Sequence, residues 1–165
     1  MELNKDYLNE LFTYDSGNIY WKSKSHPNSC IKLGTMAGSL NSDGYRVVKI
    51  SGITWGVHRV IWVMHYGDFE DKLVEHKNRN KLDNRIENLR LSDYKENGYN
   101  RGKNKSNTTN FKGVCFHKQA KKFQASIKIN YKQIHLGLYA TAEEASVAYE
   151  NAAQKLHGEF YYKAA

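Results

Sequence analysis

The sequence predicts an α+β chain in two parts. A β-rich N-terminal half surrounds one apolar helix, and a C-terminal part has three strands in an antiparallel sheet packed on a single helix. Three observations carry this expectation. Val57 to Tyr66 is apolar at helical spacing and is stopped by Gly67. From Gly102 to Asn110 apolar periodicity disappears into a polar, cationic stretch. After it, three short strand-like runs lead into Thr141-Ala142-Glu143-Glu144, a capping box that opens an alanine-rich helix. The expected boundaries are residues 1–100, a basic linker at 101–110, and 111–165.

The elements follow in order. Asn4 to Phe12 is a short helix with Tyr7, Leu8, Leu11 and Phe12 inward. Asp15-Ser16-Gly17-Asn18 is turn chemistry, and Ile19-Tyr20-Trp21 is a strand. Gly34, Gly38 and Asp43-Gly44 punctuate what comes next. Tyr45 to Ile50 and Ile53 to Trp55 are strands joined by a hairpin turn at Ser51-Gly52. The apolar helix comes after them. Ser92 is placed to cap a short helix from Asp93 towards Tyr99. In the C-terminal part, Gly113 to His117, Phe123 to Ile129 and Gln133 to Tyr139 are strands. The last helix puts Ala145, Ala148, Tyr149, Ala152, Ala153 and Leu156 on one face and ends at Gly158.

Bulk composition narrows the function classes. The chain has 165 residues and a net charge of +8, with 25 Lys and Arg against 17 Asp and Glu. Such a surface favours phosphate backbones through counterion release. The longest strongly apolar run, Val60 to Met64, is far short of the roughly 20 residues of a membrane span. The opening residues lack a leader pattern, so a soluble cytoplasmic protein is expected, with no membrane partner. Cys30 and Cys115 stand alone, without the C-x-x-C spacing of a structural zinc site.

The densest chemistry lies in Val74-Glu75-His76-Lys77-Asn78-Arg79-Asn80-Lys81-Leu82-Asp83-Asn84-Arg85-Ile86-Glu87-Asn88-Leu89-Arg90. Phosphodiester cleavage needs a group that activates water and a group that offsets developing charge. An imidazole beside a hard divalent metal supplies both, and such a metal takes carboxylate or amide oxygens. Taken singly, Asp83, Asn84 and Asn88 read as turn-capping residues as readily as catalytic ones. His65, on the apolar helix, reads as structural.

Together with Val57-His58-Arg59, Glu96-Asn97 and Asn100-Arg101, this stretch resembles the HNH endonuclease family, in particular its phage and intron homing enzymes. The resemblance implies a ββα-metal nuclease region. His76 would be the general base, Asn88 the loop-bracing residue of the catalytic set, and Glu75 and Asn97 the ligands of Mg²⁺ or Mn²⁺. His58, Arg59, Arg79, Arg90 and Arg101 would lie along the DNA. Two departures stand out. Glu75 occupies a place usually held by Asp, and Lys77-Asn78-Arg79 replaces an apolar residue, an Asp or Asn, and a Gly.

The C-terminal part, about residues 110 to 162, resembles the AP2/ERF DNA-binding domain through Gly113-Val114, Leu136-Gly137-Leu138-Tyr139 and the capping box with its alanine-rich helix. That resemblance implies a sheet that enters the major groove of double-stranded DNA. Lys112, Cys115, His117, Lys122, Ser126, Lys128, Gln133 and His135 would face it, and Tyr149 would touch a phosphate. Taken singly, lysines such as Lys121, Lys122 and Lys132 also suit a solvated sheet edge.

The combined expectation is a metal-dependent, site-specific DNA endonuclease of phage type. It would act as a monomer that nicks one strand, or as a dimer that breaks both. The alternative, raised by Glu75, is a DNA-binding regulatory protein with a degenerate HNH site. A third reading, an RNA-binding or plant-like transcription factor, leaves the Glu-His…Asn…Asn spacing unexplained.

Overall fold

The computed structural model describes residues 4–24, 30–68, 71–104 and 106–161. Met1 to Leu3 of the leader reading, and Lys105 of the expected linker, lie outside them. The chain divides into two compact units, Met1–Asp93 and Tyr94–Ala165.

The first unit opens with helix α1, Lys5–Leu11, capped by Asn4, whose Oδ1 accepts from the Asp6 and Tyr7 backbones. Phe12 leaves the expected helix and begins strand β1, Phe12–Asp15, which pairs antiparallel with β2, Asn18–Trp21. Ser16 and Gly17 make the turn with positive φ at both positions, the geometry a two-residue hairpin requires. A Cβ on Gly17 would meet the Arg85 backbone nitrogen at 2.8 Å, so the hairpin tip abuts the polar loop directly.

Strands β3, Ser39–Leu40, β4, Arg46–Ile50, and β5, Ile53–Gly56, form a second antiparallel sheet, joined by the expected Ser51-Gly52 turn. Helix α2, Val57–Tyr66, follows at once and ends at Gly67, whose φ of 93° only glycine adopts easily. Strands β6, Leu73–His76, and β7, Leu89–Ser92, then pair as an antiparallel hairpin around the long polar loop.

One core holds these pieces. Leu8, Leu11, Phe12, Ile19, Val57, Val60, Ile61 and Val63 are all at or below 2% exposure, and Val74 of β6 and Leu89 of β7 join them. Burial of side chains of this size stabilises by about 1.5–3 kcal/mol each. Val74 and Leu89 therefore anchor the hairpin whose neighbouring residues, Glu75, His76 and Arg90, are polar.

Ser92 is a correction to the sequence reading. It is the last residue of β7, wholly buried, and its hydroxyl finds no hydrogen-bond partner among the described residues. The next helix, α3, runs Tyr94–Asn100 and belongs to the second unit.

The second unit continues with β8, Val114–His117, β9, Lys122–Ile129, and β10, Lys132–Tyr139, an antiparallel sheet in which β9 is central. Helix α4, Ala142–His157, carries the complete capping box: Thr141 Oγ1 accepts from the Glu144 backbone, and Glu144 accepts from that of Thr141. It packs on the sheet through Ala145, Tyr149 and Ala153 against Val114, Ala125 and Ile127. Gly113, at φ 74°, lets the Tyr149 ring lie on the backbone, since a Cβ there would stand 2.1 Å from the ring. Leu156 departs from the expected buried face and is 37% exposed; His157 is buried in its stead, its Nε2 donating to the Lys128 carbonyl at 3.0 Å. No helix of the described residues is long and apolar enough to cross a membrane.

Candidate active site

His76 ends β6 and is 5% exposed. Its Nε2 lies 2.8 Å from Oδ1 of Asn84, itself 2% exposed. An amide oxygen can only accept, so Nε2 carries the proton and Nδ1 carries the lone pair in the neutral ring. Burial lowers the His76 pKa below its ordinary value, against the upward pull of the Asn84 bond and of the Asp83 and Glu75 charges. The ring is therefore neutral, with one nitrogen fixed as donor and the other as base.

Two rings stand beside it. His58, on the first turn of α2, lies 5.1 Å from His76 between ring centroids, and Tyr45 lies 6.1 Å away. Burial, and then the neighbouring His76 and Arg59, push the His58 pKa down to about 3. His58 Nδ1 has no hydrogen-bond partner among the described residues. Gly56 makes room for this ring: a Cβ there would meet His58 Cε1 at 2.5 Å. Lys81 covers the outer face of Tyr45, its Nζ 4.5 Å from the ring centre, and is tied to the Asp43 carbonyl at 2.7 Å.

Glu75 and Arg90 face each other across the hairpin. Arg90 Nε donates to Glu75 Oε1 at 2.7 Å, and the two side chains are only 11% and 7% exposed. Directly paired residues share a face, so Glu75 and Arg90 lie together. His76, one residue on, points to the opposite face, and β6 is buried on both.

The loop between the strands is built by its own amides. Asn88 Oδ1 accepts from the Asn78 backbone, and its Nδ2 donates to the Asp83 carbonyl at 2.7 Å and to Asn78 Oδ1 at 3.0 Å. Asp83 takes a two-pronged bond from Arg85 at 2.7 and 2.8 Å and one from Asn78 Nδ2. Those donors hold its carboxyl down to about 2. Asn84 hangs from this frame and so reaches His76. The crowded loop is thus a brace, and one of its asparagines touches the imidazole.

Among the residues singled out from sequence, His76 and His58 lie side by side in the first unit, Glu75 acts on His76 through its charge, and Arg90 is bound to Glu75. Asn88 acts on the loop. Arg79 takes up a left-handed backbone at φ 60°, its N–H donating to the His76 carbonyl, and Arg59 is half-buried. Asn97 lies half-buried on α3, in the second unit. On the three-stranded sheet, register places His117 opposite Lys122, Cys115 opposite Gln124, Gln133 opposite Lys128 and His135 opposite Ser126. Directly paired residues share a face, and alternation puts this set on the side away from Ala125 and Ile127. Gln133 Nε2 confirms the shared face by donating to Ser126 Oγ at 3.0 Å. Arg101 is exposed, and Lys112 gives its Nζ to the Tyr99 carbonyl.

The sequence left Asn84 open between turn-capping and catalysis, and gave no sign of Tyr45 as a site residue. Asn84 sits in a run of amides and acids whose spacing alone does not say which one turns inward.

Among the described residues, no three His, Cys, Asp or Glu side chains gather as a metal-binding group. Two carboxylates act on His76, Asp83 and Glu75, and each is already bonded by a guanidinium, Arg85 and Arg90 respectively. Mg²⁺ is commonly held by one or two carboxylates, with water and substrate phosphates completing its shell. The donors present are therefore compatible with that ion only as a minimal set.

A model of the HNH endonuclease family matches residues 56–99. The match runs from the start of α2, through the hairpin and its loop, into α3, and so contains His58, Glu75, His76, Asn84, Asn88 and Asn97. This match supports a nuclease that acts on DNA. No curated protein and no solved structure matches the chain.

Proposed function

We propose that the chain is a metal-dependent, site-specific DNA endonuclease of the homing type that nicks one strand per HNH site. The observation that carries this reading is the Asn84–His76 pair, a buried neutral imidazole with its base nitrogen fixed, inside the segment matched by the HNH family. His76 Nδ1 takes a proton from water, the resulting hydroxide oxygen bonds to phosphorus, and the P–O bond on the far side breaks. The leaving oxygen then takes a proton from solvent. Asn84 holds the imidazole in the required tautomer, while Asn78, Asp83 and Asn88 hold Asn84. Glu75 would supply an oxygen to Mg²⁺ or Mn²⁺, which offsets phosphate charge when bound. In this reading the chain comprises a nuclease region to about residue 100, a basic linker, and an AP2-like module. The exposed face bearing His117, Lys122, Lys128, Gln133 and His135 meets the DNA major groove, and His58, Arg59, Arg79 and Arg101 line the duplex.

The test is incubation with supercoiled DNA carrying the locus that flanks the gene, with Mg²⁺, Mn²⁺ or EDTA. Conversion to the open circle with metal, and none with EDTA, supports the reading. Conversion that EDTA leaves untouched removes the metal from it.

A second reading is favoured by one specific contact. Arg90 on Glu75 puts a positive charge where a metal would sit, as expected of a DNA-binding regulator whose nuclease site is disabled. Tight binding of the same DNA without nicking in any metal would establish it.

A further inference from the structure

A pocket of about 340 Å³ opens within the second unit. Four cations line it, Lys95, Arg101, Lys112 and Lys128, and no described carboxylate does. Such a lining selects an anion. The other walls are aromatic. Tyr99 is a fixed one: His157 stacks on it at 4.0 Å and 4°, its hydroxyl accepts from the Asn130 backbone at 3.2 Å, and its carbonyl accepts from Lys112.

Two further polar side chains line the pocket, those of His157 and Tyr149. His157 Nε2 donates to the Lys128 carbonyl, so its Nδ1 is an acceptor, buried and without a hydrogen-bond partner among the described residues. Tyr149 also lines the pocket, and burial raises its phenol above the ordinary value, which leaves it a hydroxyl donor.

The remaining wall is unusual. Asn130 and Tyr131 form the two-residue turn between β9 and β10, with φ of 47° and 64°. That turn prefers Asn-Gly, and a bulky residue at positive φ is strained. Yet Tyr131 stands there, 67% exposed, its ring 5.8 Å from both Lys95 Nζ and Lys128 Nζ. The ring adds nothing to the core. A flat, exposed aromatic held between two cations is a stacking platform, and single strands are bound by such platforms set beside cations. The volume is at the small end of ligand pockets. It suits one nucleotide and excludes a duplex.

We propose that this pocket holds one unpaired nucleotide of a DNA strand, its base on the Tyr131 ring and its phosphate among Lys95, Arg101 and Lys128. The pocket's residues all belong to the second unit, and the proposal stands whether or not the chain cuts DNA.

The experiment is fluorescence anisotropy of the full chain with fluorescein-labelled oligo(dT) of roughly 12 nucleotides, and with a duplex of equal length. Native protein, Tyr131→Gly and Tyr131→Trp are compared. Glycine suits the positive φ, so the first variant removes the ring without loss of fold, and a thermal melt checks this. Tyr131→Gly is expected to weaken single-strand binding at least about fivefold. Tyr131→Trp keeps it, and duplex binding is unchanged in both. Equal losses on both DNAs, or no loss on the single strand, overturn the proposal. Displacement of the oligonucleotide by an equal nucleotide concentration of free thymidine monophosphate overturns the strand assignment, and failure of that competition supports it. Tighter, Tyr131-dependent binding of oligo(rU) overturns the choice of DNA.

Discussion

Asn84→Ala removes the amide oxygen that accepts from His76 Nε2 at 2.8 Å. Both groups are buried, at 2% and 5% exposure, so no bulk water replaces the lost acceptor. An orphaned buried donor costs about 1–3 kcal/mol of stability. The functional loss has a different origin. Without Oδ1 the neutral imidazole is free to place its proton on either nitrogen and to turn, and Nδ1 is no longer held as the base. A general base contributes roughly 10²- to 10⁴-fold, and loss of an orienting partner typically forfeits about 10- to 100-fold. Nicking of supercoiled DNA should therefore slow about 10- to 100-fold while DNA affinity holds. Asn84→Asp probes the same contact with a charge. A carboxylate beside the ring stabilises the imidazolium, so the His76 pKa rises. The base form exists only above that pKa, so the acidic limb of the rate profile moves to higher pH. A folded Asn84→Ala protein that nicks at the native rate, with an unchanged pH profile, refutes the assignment of Asn84 and of the tautomer it fixes.

Other expectations follow from the same geometry. His58 has its pKa depressed to about 3, so between that value and the unfolded value near 6.5 the unfolded chain binds a proton that the folded chain does not. Stability should fall as pH drops from about 6.5 to 3, by up to about 4 kcal/mol at the acid end, and His58→Phe should flatten that part of a urea-denaturation series. Glu75→Ala takes the carboxylate from a buried guanidinium and should cost about 3–5 kcal/mol; a melting temperature equal to the native one would show that the Arg90 pair does not hold the hairpin. Thr141→Ala breaks the capping box and should cost about 1 kcal/mol, read as a lower midpoint for the second unit in chemical denaturation. Gly113→Ala collides with the Tyr149 ring at a positive φ and should destabilise the second unit by more than the cap does.

Much of the architecture was legible because it rests on local signals. The Ser51-Gly52 turn, the α2 stop at Gly67, the three C-terminal strands and the capping box are each encoded within a few residues. What failed to show rests on pairing between distant segments. Phe12 enters a strand because β2 is there to pair with it. Leu89 to Ser92 is too short and too mixed to read as a strand until β6 lies beside it. Ser92, a good cap by residue type, is buried by the same pairing. Arg90 and Glu75 stand fifteen positions apart, and only the hairpin register makes them partners. The site divides the same way. His76 and Glu75 were visible as chemistry, whereas Asn84 was one amide among many until the loop's hydrogen bonds turned it inward. The Tyr99–Tyr131 pocket joins α3 to a hairpin tip about thirty residues away, and no spacing rule links them.

The central claim is that His76 is the base of a DNA-cutting site. The most direct measurement compares native protein and His76→Ala on supercoiled DNA carrying the flanking locus, in Mg²⁺, at matched occupancy of the DNA. The account predicts that the native chain opens the circle and that the variant binds equally but leaves it closed. Equal nicking by both proteins would contradict the account. So would a native chain that binds this DNA tightly and never cuts it.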